Sequence, residues 1–277
     1  MNKGTLYIVA TPIGNLSDIT QRAVDVLNSV DIIACEDTRV TQKLLNHFDI
    51  KTKTLSYHKF SEQKRSAEIL GKLNDGLNVA LVTDAGTPLI SDPGSILVEN
   101  VRKENIKVVP IVGACAVTGL LQSIQNSGKF AFIGFFPQKK EEINHLENFI
   151  YDFDIVFYEA ANRILETLEN IKEIFGETIK ISIGRELTKK FEDINTFEIS
   201  KMIEHLKANT IKGEIVALIH KIEKVKENKN YSKEITKLLN KGFSAKDIGI
   251  ILSELGFGNK NEIYKLAIRI SSDTVSS

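Results

Sequence analysis

Leu6-Tyr7-Ile8-Val9-Ala10-Thr11-Pro12-Ile13-Gly14-Asn15-Leu16 is the stretch that decides the architecture. Five largely apolar residues in succession read as a strand buried on both faces, since a strand with one wet face would alternate. The run breaks into a Pro/Gly loop, and residues 20–30 follow with Ala23, Val24, Leu27 and Val30 on one helical face. The same unit then recurs. Strands are expected at 31–35, 54–57, 79–82 and 106–110, and helices at 38–48, 62–73 and 94–103, the second of these closed by Asn74-Asp75-Gly76. Apolar strands separated by helices point to a parallel sheet covered on both sides.

A second α/β unit follows, with strands expected at 130–136, 154–158, 179–183, 191–197 and 214–219, and helices at 141–149 and 163–175. Strand patterns succeed one another there without an intervening helix, which argues for a mixed sheet. Beyond it the composition changes. Residues 221–246 hold eight lysines against three glutamates, comprising a polar linker at 224–230 and the start of three short helices at 232–240, 245–255 and 261–270. Ser244 with Asp247 reads as an N-cap close to a capping box. This small bundle, helix-turn-helix-like in its spacing, is either a packing appendage or a basic surface that touches nucleic acid. A disordered tail is expected at 271–277. The fold class is therefore α/β: a parallel Rossmann-like sheet in a domain at 1–115, a mixed sheet in a domain at 116–222, and a linker with a helical appendage at 223–277.

Thirty-six Lys and Arg balance thirty-six Asp and Glu, so global charge points to no polyanionic partner, and any such role rests on local patches. The two cysteines, Cys35 and Cys115, sit among apolar residues without His or Cys at ligand spacing; buried reduced thiols are expected, and no metal. No secretory signal or membrane-spanning stretch is apparent, which points to the cytoplasm.

Ligands of α/β proteins bind at the carboxyl ends of the strands. Two loops stand out there. The first, Thr11 to Leu16, lacks Gly-x-Gly-x-x-Gly and so carries no dinucleotide fingerprint. The second, Asp84-Ala85-Gly86-Thr87-Pro88-Leu89-Ile90-Ser91-Asp92-Pro93-Gly94, combines glycines, which let backbone approach a ligand, with prolines that stiffen the chain. Both could be ordinary tight turns, but two such loops at strand ends, each with an Asp (Asp18 closing the first), favour a ligand site.

These loops, with Cys35-Glu36-Asp37-Thr38-Arg39, resemble the ribosomal small subunit methyltransferase I family of the tetrapyrrole methylase superfamily. Shorter matches are Ser56-Tyr57-His58, Phe157-Tyr158-Glu159, Arg185-Glu186-Leu187-Thr188-Lys189 and Lys212-Gly213-Glu214-Ile215-Val216, so the resemblance runs from residue 4 to about 220, and residues 260–267 resemble the family's C-terminal segment. It implies S-adenosylmethionine in a cleft between two α/β domains, 2′-O-methylation of a decoding-centre cytidine in 16S rRNA of the small (30S) subunit, and a homodimer. Carried over by position, the cofactor site comprises Pro12, Gly14, Asp84, Gly86, Thr87, Ser91, Gly113, Ala116, Glu159, Leu187 and Gly213. The chain departs from the family at Val112-Gly113-Ala114-Cys115-Ala116, where Pro-Gly-Pro-Ser-Ala is usual, and at Glu159-Ala160-Ala161-Asn162-Arg163, where Glu-Ser-Pro-His-Arg is usual. It also has Pro137-Gln138-Lys139-Lys140 in place of a Pro-Arg-Lys segment.

Methyl transfer asks the protein chiefly to orient donor and acceptor, and a weakly acidic hydroxyl benefits from a base. Glu36, Asp37 and Arg39 are the candidate catalytic residues: Arg39 pairs with an RNA phosphate, and Glu36 or Asp37 orients the ribose or takes its proton. The alternative is a helix start stabilised by acids with a solvated arginine. Lys139, Lys140, Lys189 and Lys190 are candidate phosphate contacts, and Lys43, His47 and His58 a possible extension of the basic face. Two further functions remain open, a tetrapyrrole methyltransferase of the same superfamily and a non-catalytic RNA-binding or assembly protein.

Overall fold

A computed structural model describes residues 3–209, 211–223 and 231–275, so the linker expected at 224–230 lies outside the described residues. Residues up to 222 form one compact unit and residues from 223 a second.

The first unit opens with β1 (Thr5–Val9), α1 (Gln21–Ser29), β2 (Ile32–Cys35), α2 (Thr38–His47), β3 (Lys53–Ser56), α3 (Glu62–Asn74), β4 (Val79–Val82), α4 (Ser95–Lys103) and β5 (Lys107–Ile111). The five strands are all parallel, in the order β3-β2-β4-β1-β5. The run Val79-Ala80-Leu81-Val82 shows why these strands are apolar throughout. Ala80 and Val82 join one core with Leu27 of α1 and Leu45 of α2, while Val79 and Leu81 join another with Ile69 of α3 and Leu97 of α4. Each fully buried Leu or Ile in these layers stabilises the fold by ~1.5–3 kcal/mol. Because the strands run in one direction, their carboxyl ends gather the loops at 10–16, 36–37, 83–94 and 112–115 along one edge.

The chain continues through α5 (Ala116–Ser123), β6 (Phe130–Phe135), α6 (Lys140–Asn144), β7 (Asp154–Ala160), α7 (Ile164–Phe175), β8 (Lys180–Arg185), β9 (Asp193–Glu198), α8 (Ile199–Lys207) and β10 (Glu214–Ile219). These strands form the mixed sheet β6-β7-β10-β8-β9, in which only the β6–β7 pair is parallel. Strand β10 again alternates between cores. Ile215, Ala217 and Ile219 face a layer holding α7 and α8, while Val216 and Leu218 pack with Val117, Leu120 and Leu187, against which Ile13 and Cys115 also pack. That second cluster draws the loop after β1 and the mixed sheet into one body.

The second unit comprises α9 (Ser232–Leu239), α10 (Ala245–Glu254) and α11 (Lys260–Val275) around Ile235, Ile248, Leu252, Ile263 and Ala267. Ser244 caps α10 as expected, its Oγ accepting from the Asp247 amide at 3.2 Å.

Several sequence expectations need correction. The expected disorder from residue 271 gives way to helix as far as Val275, because no Gly or Pro interrupts α11 and its Ile263 and Ala267 anchor the bundle. The helix expected at 141–149 is α6 followed by a 3-10 turn, His145–Asn148. Two helices, α5 and α8, were not anticipated. α5 contains Val117, Thr118 and Gly119, poor helix formers, and forms because Val117 and Leu120 are buried against the mixed sheet. α8 shows its stripe openly in Ile199, Met202, Ile203 and Leu206. Among the described residues, no helix is long and apolar enough to cross a membrane.

Candidate active site

A cavity of about 470 Å³ opens in the first unit, lined by the loops after β2, β4 and β5 and by residues of the mixed sheet. Its floor is set by a cross-link between the two Pro/Gly loops. The Thr11 amide donates to the Gly86 carbonyl at 2.9 Å and the Gly86 amide returns a bond to Thr11 at 3.0 Å, while the buried Thr11 hydroxyl donates to the Thr83 carbonyl at 3.2 Å. Gly86 has φ 81°, and a Cβ there would press on the Ile13 side chain at 3.2 Å. Thr87 donates from Oγ1 to the Ala114 carbonyl at 2.9 Å, which fixes the 112–115 turn without the prolines that usually stiffen it. Farther along the loop, Leu89 and Ser91 adopt left-handed backbone conformations at φ 71° and 69°. For a Leu this costs roughly 1–3 kcal/mol, held in place by the surrounding packing.

The carboxylates on this wall are poorly compensated. Glu36, Asp84 and Asp92 all line the cavity. Among the described residues, Glu36 and Asp92 have no ion-pair or hydrogen-bond partner for their side chains, and Asp84 accepts from the Asp37 amide at 3.0 Å. Burial, reinforced by Asp84, pushes the Glu36 carboxyl above its usual range. Burial also raises Asp84. Asp92 is pushed up to about 6, first by burial and then by the charges of Glu36 and Asp84.

The opposite wall is saturated. The Glu159 carboxylate is buried, pairs with Arg163 at 2.6 Å and accepts from the Thr167 hydroxyl and the Ala160 amide, each at 2.7 Å. Lys189 Nζ bridges Glu186 at 2.8 Å and Glu214 at 2.9 Å, and this contact holds the Glu186 carboxyl below its usual range. Gly213, at φ 95°, leaves room for Glu186: a Cβ there would collide with its carboxylate. Tyr158, Leu187, Ile215 and Val216 complete the wall as an apolar surface.

A sequence profile of the Tetrapyrrole (Corrin/Porphyrin) Methylases matches residues 5–203. The chain belongs to this family. Within the family, the protein named Ribosomal RNA small subunit methyltransferase I from Vibrio cholerae is 43% identical over 94% of this chain and 93% of its own length. The Haemophilus influenzae protein of the same name is 42% identical over 96% of both. The crystal structure of uroporphyrin-III-C-methyltransferase from Thermus thermophilus superposes with a TM-score of 0.55 at 14% identity, covering 79% of this chain and 92% of that one, which shows a shared fold.

This tetrapyrrole methylase is an S-adenosylmethionine-dependent methyltransferase, and the cavity fits that cofactor. Its volume lies within the roughly 300–1,000 Å³ usual for cofactor sites. Gly86 and Gly213 line it with bare backbone. Ile13, Ala116, Leu187 and Tyr158 offer apolar surface for a purine, and the uncompensated carboxylates suit the cationic end of the molecule.

Of the cofactor residues expected from the sequence, Asp84, Gly86, Thr87, Ser91, Ala116, Glu159, Leu187 and Gly213 line this one cavity. Three do not. Pro12 follows the Thr11 cross-link, Gly113 packs against Ala10 with 3.0 Å for a Cβ, and Gly14 lies under the stem of Lys189. Glu159 lines the cavity with its carboxylate already committed to Arg163 and Thr167. Of the catalytic candidates only Glu36 lines it. Asp37 is the N-cap of α2, accepting from the Arg39 amide at 2.8 Å, and the highly exposed Arg39 side chain folds back onto it at 2.6 Å. That contact holds Asp37 down at about 2, so it is no base near neutral pH.

Cys115, expected to be buried, is half-buried and lines the cavity beside Tyr158, whose hydroxyl is pushed up by burial and then by the thiol. Asp92 and Tyr158 were missed by sequence reading. Of the lysines expected at phosphates, Lys189 pairs with Glu186 and Glu214, Lys139 with Glu142 and Lys140 with Glu173, and Lys190 lies over the Phe191 ring at 5.6 Å from its centroid.

Proposed function

We propose that this enzyme methylates the 16S RNA of the small ribosomal subunit, at the 2′-oxygen of a decoding-centre cytidine. The observation that carries this reading is the identity of 42–43% with proteins named for small-subunit rRNA methylation, maintained over more than nine-tenths of both chains. The cofactor contacts are those residues of the expected set that line the cavity. The enzyme acts in the cytoplasm, where small subunits are, and as a homodimer, for which Val112, Phe130 and Phe135 offer exposed apolar surface.

Bound S-adenosylmethionine supplies a methyl group on a sulfonium centre. The protein holds the acceptor hydroxyl in line with it and provides a place for the hydroxyl proton. Glu36 is the base: it faces the cavity, its carboxylate is unpartnered, and its raised basicity brings it closer to the task. Asp84 sustains that basicity and, through the Asp37 amide, fixes the turn that carries Glu36. Arg39, exposed beside the turn, receives an RNA phosphate.

The test is to incubate the protein with methyl-labelled cofactor and, separately, assembled small subunits, protein-free 16S rRNA and a tetrapyrrole, then to map the label. Label on a cytidine 2′-oxygen is expected. Label on the tetrapyrrole alone overturns the proposal, as does retained subunit binding without transfer. Arg39→Ala should lower transfer about tenfold at limiting RNA, the scale of one charge-assisted contact.

A further inference from the structure

The second unit carries a surface that the methyl-transfer site does not use. α9 buries Ile235 in the bundle core and packs Leu238 and Leu239 there, and turns Lys233, Thr236, Lys237 and Asn240 to the other side. These residues sit at spacings of three and four, so they form one stripe along the helix. With Ser232 they line an open concavity of about 450 Å³. Lys241, Phe243 and Lys246 follow in the chain and are exposed, Phe243 by 42%.

The charges of this stripe are available. Among the described residues of the first unit nine lysines, including Lys139, Lys140 and Lys189, form ion pairs with carboxylates, and others, such as Lys43 and Lys201, form none. Among the described residues, Lys233, Lys237, Lys241 and Lys246 form none. The Thr236 hydroxyl donates to the Ser232 carbonyl at 2.7 Å and keeps its place on the helix. A chain without net charge thus places four lysines against one glutamate in residues 231–246, with an exposed aromatic ring among them.

We propose that Lys233, Lys237, Lys241 and Lys246, with Thr236, Asn240 and Phe243, form a docking surface for the phosphodiester backbone of the RNA substrate. The inference rests on the rRNA reading above and adds a second point of attachment, on the second unit. Unpaired ammonium groups at helical spacing match a run of phosphates, and ion release on contact supplies sequence-independent affinity. Phe243 provides a flat face on which an unstacked base can lie. An acidic membrane would also attract the lysines, so binding to anionic vesicles is measured alongside binding to rRNA.

The test uses the full chain. Binding to 16S rRNA is measured against salt for the wild type, for Lys233→Gln/Lys237→Gln and for Phe243→Ala, with cofactor affinity and thermal melting followed in parallel. All substituted positions are exposed, so folding and cofactor binding are expected to remain at wild-type level. The double substitution should reduce the slope of log affinity against log salt by about two and weaken binding on the order of tenfold. Phe243→Ala should weaken binding at least about fivefold with the slope unchanged. Wild-type rRNA affinity and salt slope in both variants overturn this proposal, as does a loss confined to anionic vesicles. If the wild type itself neither binds nor methylates rRNA, the reading on which it rests fails instead.

Discussion

The two walls of the cavity treat their carboxylates in opposite ways. On the mixed-sheet wall Glu159 and Glu214 each have a cationic partner, as does Glu186 behind Gly213, and Glu186 is held below its ordinary range. On the parallel-sheet wall Glu36, Asp84 and Asp92 line the same space without an ion pair among the described residues, and burial raises all three over the weaker opposing charges of His58 at Glu36 and Arg39 at Asp84. Compensated acids are structural: removing one leaves an unpaired partner. Uncompensated acids cost stability and are worth keeping where charge or proton transfer is needed. The comparison assigns scaffold to one wall and chemistry to the other.

Glu36→Gln should test that division most severely. On the chemical wall, it should lower kcat by ~10²–10⁴ while leaving the melting temperature at or above the wild-type value. Glu159→Ala should act first on stability. It strips Arg163 and Thr167 of their acceptor and should destabilise the fold by about 3 kcal/mol, read by urea denaturation.

Asp92→Asn sharpens the comparison through pH. The native carboxyl titrates at about 6, above an ordinary aspartate, so the folded state holds the proton more tightly than the unfolded one. Its favourable contribution is present in full below the unfolded value and disappears as pH rises through 6. The variant should therefore match the wild type near pH 4 and exceed it by about 1–2 kcal/mol at pH 8. A wild-type stability unchanged between those pH values would remove Asp92 from the argument.

The smallest effect belongs to Lys189→Met. Methionine keeps much of the apolar stem over Gly14 but loses both carboxylates, at an expected cost of about 0.5–1 kcal/mol. The Glu186 part of that difference should vanish in acid, because a depressed carboxyl stabilises only above its unfolded pKa and loses that contribution as pH falls.

The parallel sheet could be read directly from the chain, because a strand covered on both faces must be apolar at every position, as Val79 to Val82 is. The loops could be read because Pro and Gly mark rigid turns wherever they occur. α5 could not, since its residues favour helix only once Val117 and Leu120 have a sheet to cover. The site was legible in part. Gly86 and Gly213 declare themselves by residue type, whereas Asp92 in Ser91-Asp92-Pro93 looks like any turn aspartate until folding buries it beside Glu36 and Asp84. The sequence likewise presents Glu36 and Asp37 as equals. Only the placement of Arg39 on Asp37, and of Glu36 in the cavity, separates them.

The pH–rate profile of methyl transfer to small ribosomal subunits, measured for wild type and Glu36→Gln at saturating cofactor, tests the division of the walls most directly. The account expects the wild-type rate to rise with pH through an ionisation above the ordinary glutamate range, and the variant to be slow and to lack that ionisation while binding cofactor normally. A variant with the wild-type rate and the same profile would contradict it.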